Sequence, residues 1–257
     1  MRWDPDLYAR HAGHRGRPFV DLLARVAHPG PRRVVDLGCG PGQLTEALAL
    51  RWPHAQVTGI DASPDMIAAA GQREVPANLS FDVGDLRDYT PGSDDVVVTN
   101  AALQWVPGHQ ELLAAWSAGL PPGGWIAVQV PGNFSAPSHV LMREHAASER
   151  WSARLGGVLR HEDAVGEPVD YLQLLLGAGL EADVWETTYQ QVLAGEDAVL
   201  DWVRGTGLRP VLDVLSPQEG EEFEAGYGRR LREAYPRGPY GTVFGFRRIF
   251  AVGHRTC

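Results

Sequence analysis

The sequence predicts an α/β fold built around a mostly parallel sheet, and three observations support this. Short apolar runs alternate with longer segments of helical character, which is typical of β-α-β units. The first apolar run leads into a loop with glycine at every second position, Gly38, Gly40 and Gly42. Acidic residues stand where three successive runs end. Because parallel strands end at one edge of such a sheet, these features together predict a ligand site there.

Seven apolar runs are predicted as strands, at residues 33–37, 56–61, 79–83, 95–100, 125–130, 182–189 and 246–253. Between the first five strands, helices are predicted over 45–51, 64–73 and 110–120. Ser63 followed by Pro64 sets the start of the second helix. Serine is a preferred N-cap residue, and proline is favoured at the first helical position.

The second half of the chain is predicted to be mainly helical, over 139–179 and 198–235, with the sixth strand between these tracts. A chain of 257 residues can bury one full core. We therefore expect a single domain spanning 1–257, with an N-terminal helical lid segment (1–30) and two helical cover insertions (139–180 and 195–240) over the carboxyl ends of the strands.

Composition and charge exclude several classes of function. Hydrophobic residues make up 44% of the chain and charged residues 21%, so a globular protein is expected. The formal net charge of -9 offers no attraction to nucleic acid or anionic membranes. Only Cys39 and Cys257 are present, which argues against disulfides and thiolate metal sites. We expect no metal, a small-molecule partner, a monomer and, because no signal peptide or membrane span is visible, a cytoplasmic location.

Three aspartates, Asp36, Asp61 and Asp85, follow the first three predicted strands. A single aspartate at a strand end is commonly a turn or helix-cap residue. Three of them beside a glycine loop favour a binding site. Asp61 is placed to accept hydrogen bonds from ribose hydroxyls, and Asp85 with Leu86 to hold an adenine ring.

The loop sequence separates two classes of cofactor. A dinucleotide fingerprint needs a third glycine at position 43, where this chain has Gln43. Asp36 before the loop would repel a pyrophosphate, whereas a carboxylate suits the α-ammonium group of a methionine moiety. The loop therefore favours S-adenosylmethionine over a dinucleotide.

Three motifs, at 36–42, 59–66 and 84–86, resemble those of class I S-adenosylmethionine-dependent methyltransferases. Five further segments, at 3–8, 100–107, 138–144, 185–189 and 201–210, resemble the family of trans-aconitate 2-methyltransferases over essentially the whole chain. This resemblance implies a Rossmann-like, seven-stranded class I methyltransferase fold. It also implies a carboxyl O-methyltransferase that forms the monomethyl ester of trans-aconitate.

The resemblance also implies a set of cofactor-binding residues. They are Tyr8, Arg15, Asp36, Gly38, Cys39, Gly40, Asp61, Ala62, Ser63, Met66, Gly84, Asp85, Leu86, Asn100 and Ala101. Tyr8, in the N-terminal segment, is expected either to fold over the cofactor and exclude water or to pack a helix.

Trp105 and His109 are the candidate catalytic and substrate-binding residues. The indole N–H of Trp105 can donate a hydrogen bond to the acceptor carboxylate while its face shields the methyl group, although a packed core aromatic is the alternative. His109 either bonds the same carboxylate or caps the helix that follows it, and both interpretations stay open.

A tricarboxylate acceptor needs cations for the carboxylates that are not methylated, and the planar guanidinium of arginine binds a carboxylate with two hydrogen bonds. Arg15, Arg209 and Arg248 stand in family-like motifs, and Tyr189 is a further candidate from the cover. For any one arginine, a solvated surface pair is the alternative.

Two other functions compete with this prediction. One is a methyltransferase for another small carboxylic acid or a secondary metabolite, which would need fewer arginines at the pocket. The other is a non-catalytic protein that binds S-adenosylmethionine. The segment 100–105, which looks suited to present an acceptor, argues against the second.

Overall fold

The computed structural model describes residues 12–160 and 162–256, and for residues 12–15 and 162 it describes the backbone only. Eight strands, β1 to β8, lie at Arg33–Leu37, Gln56–Asp61, Leu79–Val83, Val96–Asn100, Trp125–Pro131, Glu181–Leu193, Arg237–Gly238 and Gly241–His254. Ten α-helices, α1 to α10, lie within the described residues at Ala12–Leu23, Gln43–Arg51, Pro64–Gly71, His109–Gly119, Pro137–Ala146, Ser152–Leu155, Pro168–Gly177, Ala198–Arg204, Arg209–Leu212 and Pro217–Ala234. Short 3-10 turns cover Leu86–Asp88, Leu103–Trp105 and Glu162–Ala164.

The strands form one sheet in the order β3-β2-β1-β4-β5-β8-β6, and β7 pairs with β8 outside this path. Strands β1 to β5 are parallel, and β8 runs antiparallel to both β5 and β6. The chain moves outward from β1 in one direction to β3 and then in the other from β4. Between β1 and β4 lies the crevice where open α/β sheets bind ligands.

Both faces of the central strands β1 and β4 are buried, which explains their continuous apolar runs. Val34 packs in a hydrophobic cluster on one face, and Val35 packs in another on the opposite face. Consecutive side chains of a strand point to opposite faces, so a run without polar interruption fills two cores at once.

A third hydrophobic cluster lies in the second half of the chain, around Trp202, Phe223, Tyr227 and Phe244. Strand β8 pairs with β5 only from Arg248 onward, whereas its earlier residues pair with β6 alone. The β6–β8 ribbon therefore extends past the end of β5. Helices α8 and α10 pack on this extension and bury its aromatic side chains.

The structure confirms the predicted fold class and sets its details. The first three predicted strands have the observed bounds, and Ser63 caps α3, its Oγ accepting a hydrogen bond from the Met66 N–H at 3.4 Å. The sheet has eight strands rather than seven, because the two-residue strand β7 forms a hairpin with β8. Strands β6 and β8 are longer than predicted. Burial alternates along their extensions, but Gln191 and Thr242 are buried while Val192 and Val243 are exposed, so polarity along the sequence does not show the alternation.

None of the helices in the described ranges combines the length and the apolar character needed to cross a membrane. In the same ranges, no group of three or more histidine, cysteine, aspartate or glutamate residues could hold a metal ion.

Candidate active site

The glycine loop after β1 is held closely between two neighbouring strands. The N–H groups of Gly38 and Cys39 both donate to the Ile60 carbonyl oxygen at the end of β2, at 2.8 and 3.1 Å. Gly38 has a φ of 80°, and a Cβ atom there would lie 2.3 Å from the Cβ of Ala102. Glycine is therefore required at this position for both its conformation and its lack of a side chain.

Asp36 is a buried carboxyl group at the end of β1, with 3% of its surface exposed. Its Oδ2 accepts a hydrogen bond from the Thr45 hydroxyl at 2.7 Å. Burial, together with the nearby charge of Asp61, raises the pKa of Asp36 to about 7. The carboxylate lacks a cationic partner among the described ion pairs, so a cation bound beside it would stabilise its ionised form.

Asp61, the last residue of β2, connects two loops. Its Oδ2 accepts a hydrogen bond from the Gly40 N–H, and its Oδ1 accepts one from the Ser63 N–H, both at 2.9 Å. Each oxygen has a second lone pair, so the carboxylate can still accept hydrogen bonds from a ligand. Fixed by two backbone donors, it presents those lone pairs in a defined direction.

Asp85 follows β3 and begins a 3-10 turn. Its Oδ1 accepts a hydrogen bond from the Arg87 N–H at 2.9 Å, and the Arg87 guanidinium forms an ion pair with the carboxylate at 2.5 Å. These contacts hold the pKa of Asp85 below its usual value. Asp85 is therefore ionised at neutral pH and oriented by its own turn.

These groups line one cavity of about 350 Å³, which we call the loop cavity. Its size is in the range of small-molecule sites. Twelve of the expected cofactor-binding residues line it, namely Asp36, Gly38, Cys39, Gly40, Asp61, Ala62, Met66, Gly84, Asp85, Leu86, Asn100 and Ala101. Ser63 lies beside it as the cap of α3, while Tyr8 and the side chain of Arg15 lie outside the described residues.

The loop cavity has further lining residues that were not among the expected cofactor-binding residues, namely Phe19, Pro41, Gln43, Leu44, Ile60, Arg87, Ala102, Val106 and Pro107. Five of them lie inside the motifs at 36–42, 59–66 and 100–107, and Gln43, Leu44 and Arg87 lie within two residues of a motif. Phe19 is different, because it comes from α1 and has no local signal in the sequence.

The lining of the loop cavity suits a ligand that carries positive charge and hydroxyl groups. Three carboxyl groups face it, and the guanidinium of Arg87 is paired with one of them, Asp85. Burial and the neighbouring aspartates raise the pKa of the Cys39 thiol, so this group stays neutral. A polyphosphate would meet carboxylates here, whereas an ammonium or sulfonium group would meet opposite charge.

Trp105 lies at the border between the loop cavity and a second cavity of about 480 Å³, which we call the Arg160 cavity. The two share Trp105, Val106 and Pro107. The guanidinium carbon of Arg160 lies 3.7 Å from the centre of the Trp105 ring. Arg160 belongs to the predicted helical tract, and nothing in the sequence singled it out.

His109 begins α4 and lines the Arg160 cavity rather than the loop cavity. Its Nε2 shares a hydrogen bond of 2.9 Å with the Tyr171 hydroxyl, and only 5% of the residue is exposed. Burial lowers the pKa of His109, so its imidazole is neutral at pH 7.

The other expected substrate-binding residues lie elsewhere in the described structure, and none of them lines either cavity. The Tyr189 hydroxyl donates to Oδ2 of Asp21 at 2.5 Å. Arg248 is buried in β8, where its Nη1 donates to Oε1 of Gln129 at 3.3 Å. Arg209 begins the short helix α9 and is half-buried.

Comparisons with known proteins bear on the family and the fold. Residues 34–124 match a family model described as "Methyltransferase domain". The chain is 56% identical to the trans-aconitate 2-methyltransferase of Streptomyces avermitilis, over 98% of this chain and 97% of that one. It is 55% identical to the Rhodococcus jostii protein of the same name, over 97% and 98%. A crystal structure of a methyltransferase-like protein from Bacillus halodurans shares the fold, with a TM-score of 0.59 at 16% identity over 94% of this chain and 100% of that one.

Proposed function

The chain belongs to the family of trans-aconitate 2-methyltransferases, and we propose that it methylates a carboxylate of trans-aconitate to give the monomethyl ester. The observation that carries the substrate is the identity of 56% over nearly the full length of a relative with that name. The loop cavity supports the same chemistry, because its carboxylates suit a cationic methyl donor.

S-Adenosylmethionine is the methyl donor, and it supplies a methyl group bound to a positively charged sulfur. We assign Asp61 to the ribose hydroxyls, Asp85 and Leu86 to the adenine, and Asp36 to the α-ammonium group. Asp36 fits this role because a buried carboxyl with a raised pKa gains most from a nearby cation. Gly38 and Gly40 let the backbone approach the ligand closely.

The acceptor needs no general base. A carboxylate has a pKa of about 4 and is already ionised at pH 7. The task of the protein is then to align the acceptor oxygen with the methyl group, and proximity alone supplies roughly 7–11 kcal/mol of the barrier. His109 is neutral and hydrogen-bonded to the Tyr171 hydroxyl. We therefore assign it to holding the wall of the Arg160 cavity in place rather than to proton transfer.

Trp105 is the residue we assign to the acceptor, because it borders both cavities. Methyl transfer joins an anionic acceptor to a cationic donor, so charge disappears in the transition state. A water-poor wall favours that transition state over the charged ground state. The indole ring of Trp105 excludes water, and its N–H is the one polar group that it can offer to a carboxylate.

Helical segments of the second half complete the site in this proposal. Gly157, Leu159 and Arg160 line the Arg160 cavity together with the loop after β4, which supports a covering role for the tract 139–180. Phe19 of α1 lines the loop cavity, which supports a similar role for the segment 1–30. We propose that 195–240 stabilises this cover, and that Tyr8, Arg15, Tyr189, Arg209 and Arg248 contribute to it or to acceptor binding when it closes.

A direct assay tests the function. The protein is incubated with S-adenosylmethionine and trans-aconitate, and mass spectrometry should show a product heavier by one methylene. We expect the enzyme to prefer polycarboxylates over monocarboxylates. We also expect it to be a cytoplasmic monomer that acts on a small molecule. Turnover of a monocarboxylate but not of trans-aconitate would reject the substrate. Calorimetric binding of S-adenosylmethionine without transfer to any acid of a panel would reject the enzyme.

A further inference from the structure

Arg160 occupies an unusual position for an arginine of this acidic chain. Its guanidinium carbon lies 3.7 Å from the Trp105 ring centre and 5.5 Å from that of Phe134. Nη1 donates a hydrogen bond to the carbonyl oxygen of Gln104. Arg160 thus stands over the aromatic ring that borders the loop cavity, and it lines the adjoining one.

Carboxylates neutralise other arginines of the second half but not this one. Arg150, Arg154 and Arg204 pair with Glu222, Glu219 and Glu224 at 2.8, 3.0 and 2.7 Å. Among the described side chains, no carboxylate lies within ion-pair distance of Arg160. Glu111 and Asp163 line the same cavity, but both are exposed to solvent and neither pairs with it.

Arg160 is charged at neutral pH despite its surroundings. Burial lowers its pKa to about 10, which leaves the guanidinium protonated. The charges of Arg160 and Arg143, after burial itself, help to lower the pKa of the nearby His139 to about 4. Arg143 donates to the carbonyl oxygen of Phe134 at 2.7 Å. This part of the cover therefore holds two guanidinium groups whose described partners are carbonyl oxygens and rings.

We propose that Arg160 binds a carboxylate of the acceptor other than the one that is methylated, with its guanidinium held over the Trp105 ring. The inference rests on the proposed function and names the group that recognises a polycarboxylate. One of its five N–H donors is used by Gln104, so a planar pair of donors remains for a carboxylate. Contact with the indole ring restrains the guanidinium before the acceptor arrives.

In this position, Arg160 would favour an acceptor with more than one carboxylate. Trp105 is the wall between its cavity and the loop cavity, so an acceptor that lies along this wall reaches both. One carboxylate then lies at the loop cavity for methylation while another pairs with Arg160. A monocarboxylate can occupy only the first position and gains nothing from Arg160.

Steady-state kinetics of Arg160→Gln and Arg160→Lys test this assignment, with trans-aconitate and the monocarboxylate crotonate as acceptors. We expect Arg160→Gln to raise the KM for trans-aconitate roughly 10- to 100-fold, the effect of losing a charged hydrogen-bonded pair. Arg160→Lys should recover part of that loss, because it keeps the charge but not the planar fork. The KM for crotonate and the Kd of S-adenosylhomocysteine should not change.

Arg154→Gln is the matched control, since Arg154 lies on the same segment but is half exposed and paired with Glu219. Equal KM values for trans-aconitate in the wild type and Arg160→Gln would overturn the assignment. A rise that is the same for crotonate would overturn it too, because it would indicate a general distortion of the site. Unchanged melting temperatures exclude misfolding as the cause.

Calorimetric binding of trans-aconitate to the protein saturated with S-adenosylhomocysteine separates this inference from the proposed function. If the wild type binds trans-aconitate without methylating it and Arg160→Gln loses that binding, the function fails and the assignment stands. If the wild type turns over trans-aconitate and both proteins bind it equally, the function stands and the assignment fails. If the wild type neither binds nor methylates trans-aconitate, both are rejected.

Discussion

The loop cavity and the Arg160 cavity share Trp105, Val106 and Pro107 as a common wall, yet their least exposed charged groups have opposite signs. The loop cavity contains the buried carboxyl of Asp36, whereas the other contains the half-buried guanidinium of Arg160. A cationic donor and an anionic acceptor would thus each meet a group of opposite charge. Methyl transfer cancels both charges, so the donor and the acceptor have to meet where the two cavities adjoin, beside Trp105.

The two cavities also differ in how the chain builds them. The loop cavity consists mainly of short segments that directly follow β1 to β4, so each segment is positioned by the strand before it. The Arg160 cavity joins the segment after β4 to one that is 56 residues further along the chain. We infer that the first is fixed by the sheet, and that the second depends on how the helical segments pack.

Replacing Gly38 by alanine should have the largest effect on stability and binding, because Gly38 holds the glycine loop that lines the loop cavity. The new Cβ would lie 2.3 Å from the Cβ of Ala102, and its backbone has a φ of 80°. We expect a loss of at least about 2 kcal/mol in the free energy of unfolding, together with loss of S-adenosylhomocysteine binding.

Chemical denaturation and calorimetry measure these two effects. Gly71→Ala is the control, since a Cβ at Gly71 meets nothing within 4 Å. It should change stability by no more than about 1 kcal/mol. Normal stability and binding in Gly38→Ala would show that the loop is not held as closely as its contacts indicate.

Asp61→Ala should weaken cofactor binding by on the order of 1–3 kcal/mol, which is roughly 10- to 100-fold in Kd. The substitution removes the acceptor for ribose hydroxyls, and it also leaves the N–H groups of Gly40 and Ser63 without their side-chain partner. Calorimetry with S-adenosylhomocysteine gives the value. Asp82→Ala, an exposed aspartate of β3, serves as the control. An unchanged Kd in Asp61→Ala would remove Asp61 from the binding site.

Cofactor affinity should decrease as the pH is lowered, because Asp36 becomes protonated. Its pKa is raised to about 7 in the ligand-free protein, so the neutral acid predominates below that pH. An ammonium group binds the ionised form, and the Kd of S-adenosylhomocysteine should therefore increase roughly tenfold between about pH 8 and pH 6. Stability should change in the opposite direction. The folded ligand-free protein favours protonated Asp36, so its free energy of unfolding should decrease as pH rises from the pKa of Asp36 in the unfolded chain to about 7.

Asp36→Asn is the matched variant for this titration. It should bind S-adenosylhomocysteine weakly and with no comparable dependence on pH, because the amide does not ionise. A wild-type Kd that is constant over this range would indicate that Asp36 does not face the ammonium group.

His109→Gln should have the smallest effect, since His109 lines the Arg160 cavity with its Nε2 already hydrogen-bonded to Tyr171. Losing the hydrogen bond to Tyr171 is expected to cost about 1 kcal/mol in the free energy of unfolding. Tyr171→Phe removes the same bond from the other side, so kcat should change equally in both variants. A much larger fall of kcat in His109→Gln would assign His109 a direct part in the reaction.

The sequence predicted the loop cavity well because its information is local. Glycines at alternate positions, apolar strands and an N-cap serine each depend on backbone conformation within a few residues. Most of the residues expected at the cofactor therefore line one cavity. Their roles toward the ligand stay predictions until binding is measured.

The residues that bind the acceptor were harder to predict. The sequence around an arginine or an aromatic residue looks the same whether its side chain packs in a core, lies on the surface or faces a binding site. Tyr189 was expected at the acceptor but donates to Asp21, and neither cavity is lined by Arg248. Arg160 belongs to no motif, and only its position over the Trp105 ring and its lack of a described carboxylate partner distinguish it.

By itself, the sequence determined the α/β fold class, the strands that carry the glycine loop, the three aspartates at their ends and the family. Those features arise from periodicity and short-range backbone requirements, which the chain shows directly. Only the tertiary structure decided that the Asp61 carboxylate connects two loops, that the Asp36 carboxyl is buried enough to raise its pKa, and that Arg160 lies against Trp105. These depend on packing between distant segments, where burial and the absence of a partner are set by the whole fold.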